Sequence, residues 1–199
     1  GGDGGGLAAA PLRDQLRKCL DAMQVDSIPL LYLHAPDQQT CLDETLAALG
    51  EAHAEGLFAS LGVSNYAAWE VVDIHRRAPS FGCPPPCVYQ GMYNGVTRRV
   101  EDELLPALRR LGMNFYAYNP LAAGLLTGKH LGVSGKEDVG ALEAGRFKQN
   151  KMYRERFLRE AQLEGARGVK AACDAHLRGG RTMAHAALRW VYAHSQLGP

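Results

Sequence analysis

Apolar residues along the chain gather in four short runs, and each run is closed by a polar residue. Residues 28–33 end at His34, residues 57–63 at Ser64 and Asn65, residues 87–89 at Gln90, and residues 113–117 at Tyr118 and Asn119. Runs of this length read as buried strands, and a buried strand does not itself require a polar end. The segments between them have helical periodicity. Over residues 11–23, Leu12, Leu16, Cys19, Leu20 and Met23 share one face, with Pro11 in the first turn. Thr40 is placed to cap a second helix. Asp43 and Glu44 favour its dipole, Leu42, Leu46, Leu49 and His53 form its face, and Gly56 closes it. Residues 66–78 predict a helix packed through Trp69, Val72 and Arg76, and residues 79–86 a loop. Residues 97–111 predict another helix, bent at Pro106 and ended by Gly112. A long Gly-rich connection fills residues 120–150, and connections of that length are usually functional or mobile. Helices over 151–176 and 182–194 follow, separated by Gly179 and Gly180. The first is largely solvated on one side, and the second packs through Ala186, Leu188, Trp190 and Val191.

The strand ends recur at a steady interval. His34 to Ser64 is 30 positions, Ser64 to Gln90 is 26, and Gln90 to Tyr118 is 28. Each interval holds one helix, so the chain reads as successive right-handed β-helix units with parallel strands. The second strand, apolar with little alternation, is expected to be covered on both faces. A doubly wound sheet and a (β/α)8 barrel both allow this pattern. The regular repeat, with polar residues at every strand end, favours the barrel, in incomplete form. Strand C-termini of parallel α/β folds point to one side, and ligand sites lie there.

Composition narrows the function classes. The formal net charge is +1 over 199 residues, which offers no basic surface for nucleic acid and no acidic tail for a basic partner. No apolar run approaches the roughly 20 residues needed to cross a bilayer, and no secretory signal is visible, so a cytoplasmic protein is expected. The five cysteines have no second close pair to match Cys83 and Cys87, so reduced thiols and no metal site are expected. Residues 1–10 read as a flexible Gly-rich segment and residues 11–199 as one domain.

The motifs at the strand ends carry a resemblance. Leu31-Tyr32-Leu33-His34-Ala35-Pro36-Asp37, Leu61-Gly62-Val63-Ser64-Asn65-Tyr66, Val88-Tyr89-Gln90 and Tyr116-Ala117-Tyr118-Asn119-Pro120-Leu121 resemble, in order and spacing, the aldo-keto reductases. Tyr89-Gln90-Gly91-Met92-Tyr93-Asn94 and the run from Asn119 to Lys129 resemble the branch that reduces aflatoxin aldehyde and succinic semialdehyde. The resemblance covers residues 11–197 and implies a (β/α)8 barrel that moves a hydride from NADPH to a small-molecule aldehyde or ketone. It assigns His34 as the catalytic His that orients the carbonyl. Ser64, Asn65 and Gln90 would bond the nicotinamide amide, and Tyr118 would stack on its ring. Asn119, Leu121 and Gly124 would lie along the pyrophosphate. Met92 and Tyr93 are candidates for an apolar substrate pocket, and Arg146 for holding a substrate carboxylate.

The same comparison exposes departures. The family's catalytic Asp, Tyr and Lys segments have no match, and none of the eight tyrosines lies five positions beyond an Asp in a matching context. The chain is therefore expected to be a partial barrel, strands four to seven, with little reductase activity of its own. NADP preference is inherited from the resemblance. Two unpaired edge strands would invite association, including a homodimer. The alternative is a non-catalytic nucleotide- or protein-binding member, similar to the channel-associated branch. A third reading is an interaction domain whose strand ends are merely capped.

Overall fold

The computed structural model describes residues 6–142, 145–193 and 195–197. Residues 1–5 of the expected flexible segment, residues 143–144, His194 at the end of the last expected helix, and residues 198–199 lie outside the described residues; Ala9 and Ala10, expected in that segment, instead begin the first helix. The chain divides into two compact units. One runs up to Gly91 and includes Asp102–Tyr116; the other comprises Met92–Glu101 and the chain from Ala117 onward.

The first unit is built on a parallel sheet. Its strands are β1 (Ile28–Leu33), β2 (Phe58–Ser64), β3 (Val88–Met92) and β4 (Asn114–Tyr118), in the spatial order β1-β2-β3-β4. The last residues of β3 and β4 pass into the second unit. Helices α1 (Ala9–Met23), α2 (Leu42–Ala54), α3 (Ala68–Arg77) and α4 (Leu104–Leu111) precede or separate the strands. This is an α/β fold of alternating parallel strands and helices, as expected of part of a (β/α)8 barrel.

The register sorts the sheet into two unlike faces. Leu33 pairs with Val63, Tyr32 with Gly62, and Gly62 with Val88. The Asn114 N–H donates to the Cys87 carbonyl at 2.9 Å, which sets Asn114 opposite Val88 and Tyr116 opposite Gln90. Leu33, Leu61, Val63 and Tyr89 therefore share one face, and all are buried. Tyr89 stacks there on Phe115 at 5.8 Å. Tyr32, Ser60, Gly62, Ser64, Val88, Gln90, Asn114 and Tyr116 share the other face. Several of these remain partly open to solvent, and Tyr116 is 54% exposed. β2 is nevertheless buried on both faces from Leu61 to Ser64, as expected from its sequence, and opens to solvent only at Ala59 and Ser60. Gly62 explains the missing alternation, because a Cβ there would stand 2.5 Å from the Tyr32 ring. That ring covers the backbone of β2.

Helix details also differ from expectation. Cys41, not Thr40, precedes α2, and the Thr40 hydroxyl is taken by Asp37 at 2.6 Å. In α3 the buried residues are Val71 and Ile74, while Trp69 is 70% exposed. The large aromatic ring of Trp69 marks the exposed stripe of the helix, not the buried one. Glu70 reaches back to the Ala67 N–H at 2.7 Å and steadies the start of α3. The helix expected over residues 97–111 begins only at Leu104, so Pro106 falls in its first turn, where it costs no hydrogen bond and need not bend the helix. In α1, Leu12, Leu16 and Leu20 are buried, whereas Cys19 and Met23 face outward.

The second unit is helical. It holds α5 (Arg146–Gln149), α6 (Lys151–Phe157), α7 (Glu160–His176) and α8 (Met183–Ala193). The helix expected over 151–176 is broken at Leu158 and Arg159. Leu158 is buried, which turns the chain inward between α6 and α7. Ala122, Leu125, Leu126, Phe147, Phe157, Leu163, Met183 and Ala187 belong to one buried cluster. Burying a side chain the size of Leu or Phe contributes about 1.5–3 kcal/mol, so Leu125, Leu126 and Phe147 anchor their parts of the long connection to this core. That connection is shaped by short 3-10 turns at Ala122–Thr127 and Val139–Ala141. Among the described residues no helix is long and apolar enough to cross a membrane, and no cluster of His, Cys, Asp and Glu could hold a metal ion.

Candidate functional site

In the first unit, four expected site residues lie on adjoining strands near their C-terminal ends; β3 runs on to Met92, so Gln90 lies within the strand and not at its end as expected. Parallel register carries His34, just beyond β1, opposite Ser64 at the end of β2, and Ser64 pairs with Gln90 in β3. Ser64 is 1% exposed. Asn65 follows with φ of 64°. Its side-chain amide donates to the His34 carbonyl at 2.8 Å and to the Ser64 hydroxyl at 3.1 Å. This left-handed turn lets Asn65 tie two strand ends together, a conformation Asn tolerates better than most residues. The His34 ring itself is exposed.

Two buried tyrosines hold the backbone of this region. The Tyr66 hydroxyl donates to the Ala35 carbonyl at 3.2 Å, and Tyr89 donates to the Tyr66 carbonyl at 2.8 Å. Burial, with smaller contributions from Glu70 and Asp37, pushes the Tyr66 phenol well above its ordinary pKa. Tyr66 therefore keeps its proton and serves as a fixed donor. Beyond it, Asp37 accepts from the Thr40 hydroxyl, the Leu7 N–H at 2.8 Å and the Gln39 N–H at 2.9 Å. These bonds, Thr40 foremost, hold its carboxyl below the usual range. They also pin residue 7 beside the loop that carries His34, assisted by Thr45, whose hydroxyl donates to the Leu7 carbonyl.

In the second unit the expected residues divide. The Tyr118 hydroxyl lies 3.4 Å from an Arg156 guanidinium nitrogen, and the Tyr118 carbonyl accepts from the Tyr93 N–H at 3.3 Å. Asn119, Leu121 and Gly124 form one tight loop, in which Leu121 accepts from the Gly124 and Leu126 N–H groups. Met92 is partly buried against the helical core. Tyr93 is 0% exposed, and its hydroxyl donates to Glu101 at 2.6 Å. Arg98 also pairs with Glu101 while lying 5.3 Å over the Trp190 ring. The structure thus gives Tyr93 a packing role where a pocket lining was expected. Arg146 is exposed, with its guanidinium 5.0 Å over the Tyr153 ring. Arg156, which approaches Tyr118, was missed. Its only sequence signal is its place in a charged helix, where an exposed Arg reads as solvated surface.

Parallel β/α units with carboxamide- and hydroxyl-bearing residues at successive strand ends are the architecture of a ligand-binding α/β barrel. The chain belongs to the aldo/keto reductase family, which it matches over residues 3–199. It is 46% identical to human aldo-keto reductase family 7 member A3 over 197 residues, covering 98% of this chain and 59% of that protein. It is 47% identical to rat aflatoxin B1 aldehyde reductase member 2 over 199 residues, covering 98% of this chain and 53% of that one. The human aflatoxin B1 aldehyde reductase member 2 is 46% identical over 198 residues, 55% of its length. The chain therefore spans little more than half the length of these relatives.

Proposed function

We propose that this chain carries the nicotinamide-facing part of an NADPH-dependent aldehyde reductase. The observation that supports this most is the set formed by Ser64, Asn65 and Gln90 beside His34. A carboxamide has one acceptor oxygen and one donor NH2, and a hydroxyl flanked by two side-chain amides can answer both. The donor chemistry therefore fits the nicotinamide group. When bound, NADPH would supply the hydride. Ser64, Asn65 and Gln90 would fix the ring's orientation, and His34 would direct its ring N–H at the carbonyl oxygen, where negative charge develops. In the second unit Tyr118, Asn119, Leu121 and Gly124 are assigned to the cofactor by family likeness. Arg156, near the Tyr118 hydroxyl, joins Arg146 as a candidate to attract a substrate carboxylate; each guanidinium also lies over an aromatic ring, Phe157 and Tyr153 respectively.

Reduction also needs a proton. Tyr66 and Tyr89 near the strand ends already donate to backbone carbonyls, and Tyr93 donates to Glu101. This favours a second reading in which the chain binds the dinucleotide without turning it over. Both readings are tested by titrating the purified chain with NADPH, followed by fluorescence, and then adding an aromatic aldehyde or a carboxylate-bearing semialdehyde. Saturable binding that Gln90→Ala weakens about tenfold, the loss of one or two directional hydrogen bonds, is the expected result. Turnover at rates ordinary for enzymes would discard the second reading. An absence of binding would discard both and leave an α/β domain with capped strand ends.

A further inference from the structure

The loop after β4 is strained, and one buried side chain holds it. Asn119, Ala122 and Ala123 have φ of 54°, 48° and 56°. Residues bearing a Cβ avoid this left-handed region unless their surroundings impose it. Ala122 and Ala123 are the central residues of a turn closed from the Gly124 N–H to the Leu121 carbonyl at 2.9 Å. Two left-handed central residues ordinarily select Asn or Gly. Local propensity therefore argues against this loop, and contacts from elsewhere in the unit must maintain it.

Asn94 supplies such a contact. It is 0% exposed. Its Nδ2 donates to the Asn119 carbonyl at 3.0 Å, and that carbonyl also accepts from the Ala122 N–H at 2.9 Å. Both lone pairs of the carbonyl that starts the strained loop are thus occupied. At its other end the Asn94 Oδ1 accepts from the Val96 N–H at 3.1 Å. Its backbone exchanges hydrogen bonds with Thr97 in both directions, at 3.3 and 3.0 Å. The amide of Asn94 therefore links a rigid turn after β3 to the first residue of the loop after β4. A buried amide used at both ends has high directional value, because removing it takes from the Asn119 carbonyl one of its two partners and from the Val96 N–H its side-chain acceptor.

We propose that Asn94 is a positioning residue for residues 119–124, setting their left-handed conformation and, through it, cofactor affinity, without touching the cofactor. The affinity half rests on the reading that this loop runs past the NADPH diphosphate; the conformational half does not. Asn94→Asp is the informative variant. It keeps the shape and the acceptor for Val96 but replaces the donor with an oxygen facing the Asn119 carbonyl.

The test is hydrogen–deuterium exchange of the purified chain, read on the peptide covering residues 119–127, with NADPH titration alongside. Asn94→Asp and Asn94→Ser should raise exchange in that peptide by about tenfold, the loss of one directional hydrogen bond. Exchange in α7 and α8 should stay unchanged. Adding Ala123→Gly, which removes the Cβ penalty at one left-handed position, should restore part of the protection. The NADPH Kd of Asn94→Asp should rise by about tenfold. Wild-type-like exchange in Asn94→Asp, or faster exchange spread evenly through α7 and α8, would overturn the conformational claim. A loosened loop with unchanged Kd would overturn the affinity claim. Failure of the wild type to bind NADPH would overturn the cofactor reading instead, with the exchange result still deciding the role of Asn94.

Discussion

The two units place their candidate functional groups by different physical means. In the first, parallel register does the placing. Once Leu33 pairs with Val63 and Ser64 with Gln90, the residues at the strand ends must come side by side. In the second, no ladder fixes residues 119–124. Left-handed backbone, small side chains and the buried amide of Asn94 do so. A site on a ladder is robust to changes in its side chains and fragile to changes in backbone spacing. A site on a braced loop fails when a single polar contact is lost.

That contrast is broken most severely at Gly50. A Cβ there would stand 1.9 Å from the Phe81 carbonyl oxygen, backbone against backbone. Gly50→Ala should destabilise the first unit by about 3 kcal/mol, the upper range for overpacking, measured by urea unfolding. A change near zero would show that α2 can slide on its neighbour and that the ladder is less rigid than its register suggests. A smaller effect is expected at Asp37. Its folded pKa is depressed by Thr40, Leu7 and Gln39, so its contribution is complete above the ordinary carboxylate pKa. That contribution is lost as pH falls through the depressed value. The Leu7 amide, followed by NMR, should become exposed to exchange over that acid window, and Asp37→Asn should remove the pH dependence. The smallest effect is expected at Trp69. With 70% of its surface exposed, Trp69→Ala should change stability by less than about 0.5 kcal/mol; a larger loss would show that α3 packs through the stripe its sequence suggests.

Much of the first unit could be read from residue pattern. Short apolar runs mark β1, β2 and β4 to within one residue, while β3 extends three residues beyond its run to Met92; the polar residues after the runs place His34, Ser64, Asn65 and Gln90 on neighbouring strands. What the pattern hid were pairwise effects. Gly62 looks like weak strand chemistry until the Tyr32 ring is found over it, and Trp69 looks like core until Val71 and Ile74 are seen to face inward. In the second unit the Gly-rich run from 120 to 150 announced a special loop but not its support. Asn94 lies 25 residues from the carbonyl it holds, and no local periodicity connects them. Tyr93 and Arg146 drew attention as residue types, whereas their partners Glu101 and Tyr153 decided their use.

The order β1-β2-β3-β4 has a kinetic corollary. Every pairing joins strands adjacent in sequence, with paired residues 30 positions apart at Leu33 and Val63 and 26 apart at Ser64 and Gln90. The entropy lost in closing such loops is similar for each pairing and grows only with the logarithm of their length. No pairing has to wait for a remote stretch of chain to diffuse into place. The sheet can nucleate at any pair of neighbouring strands and lengthen outward one strand at a time, so the polar ends of the strands come into line progressively as folding proceeds.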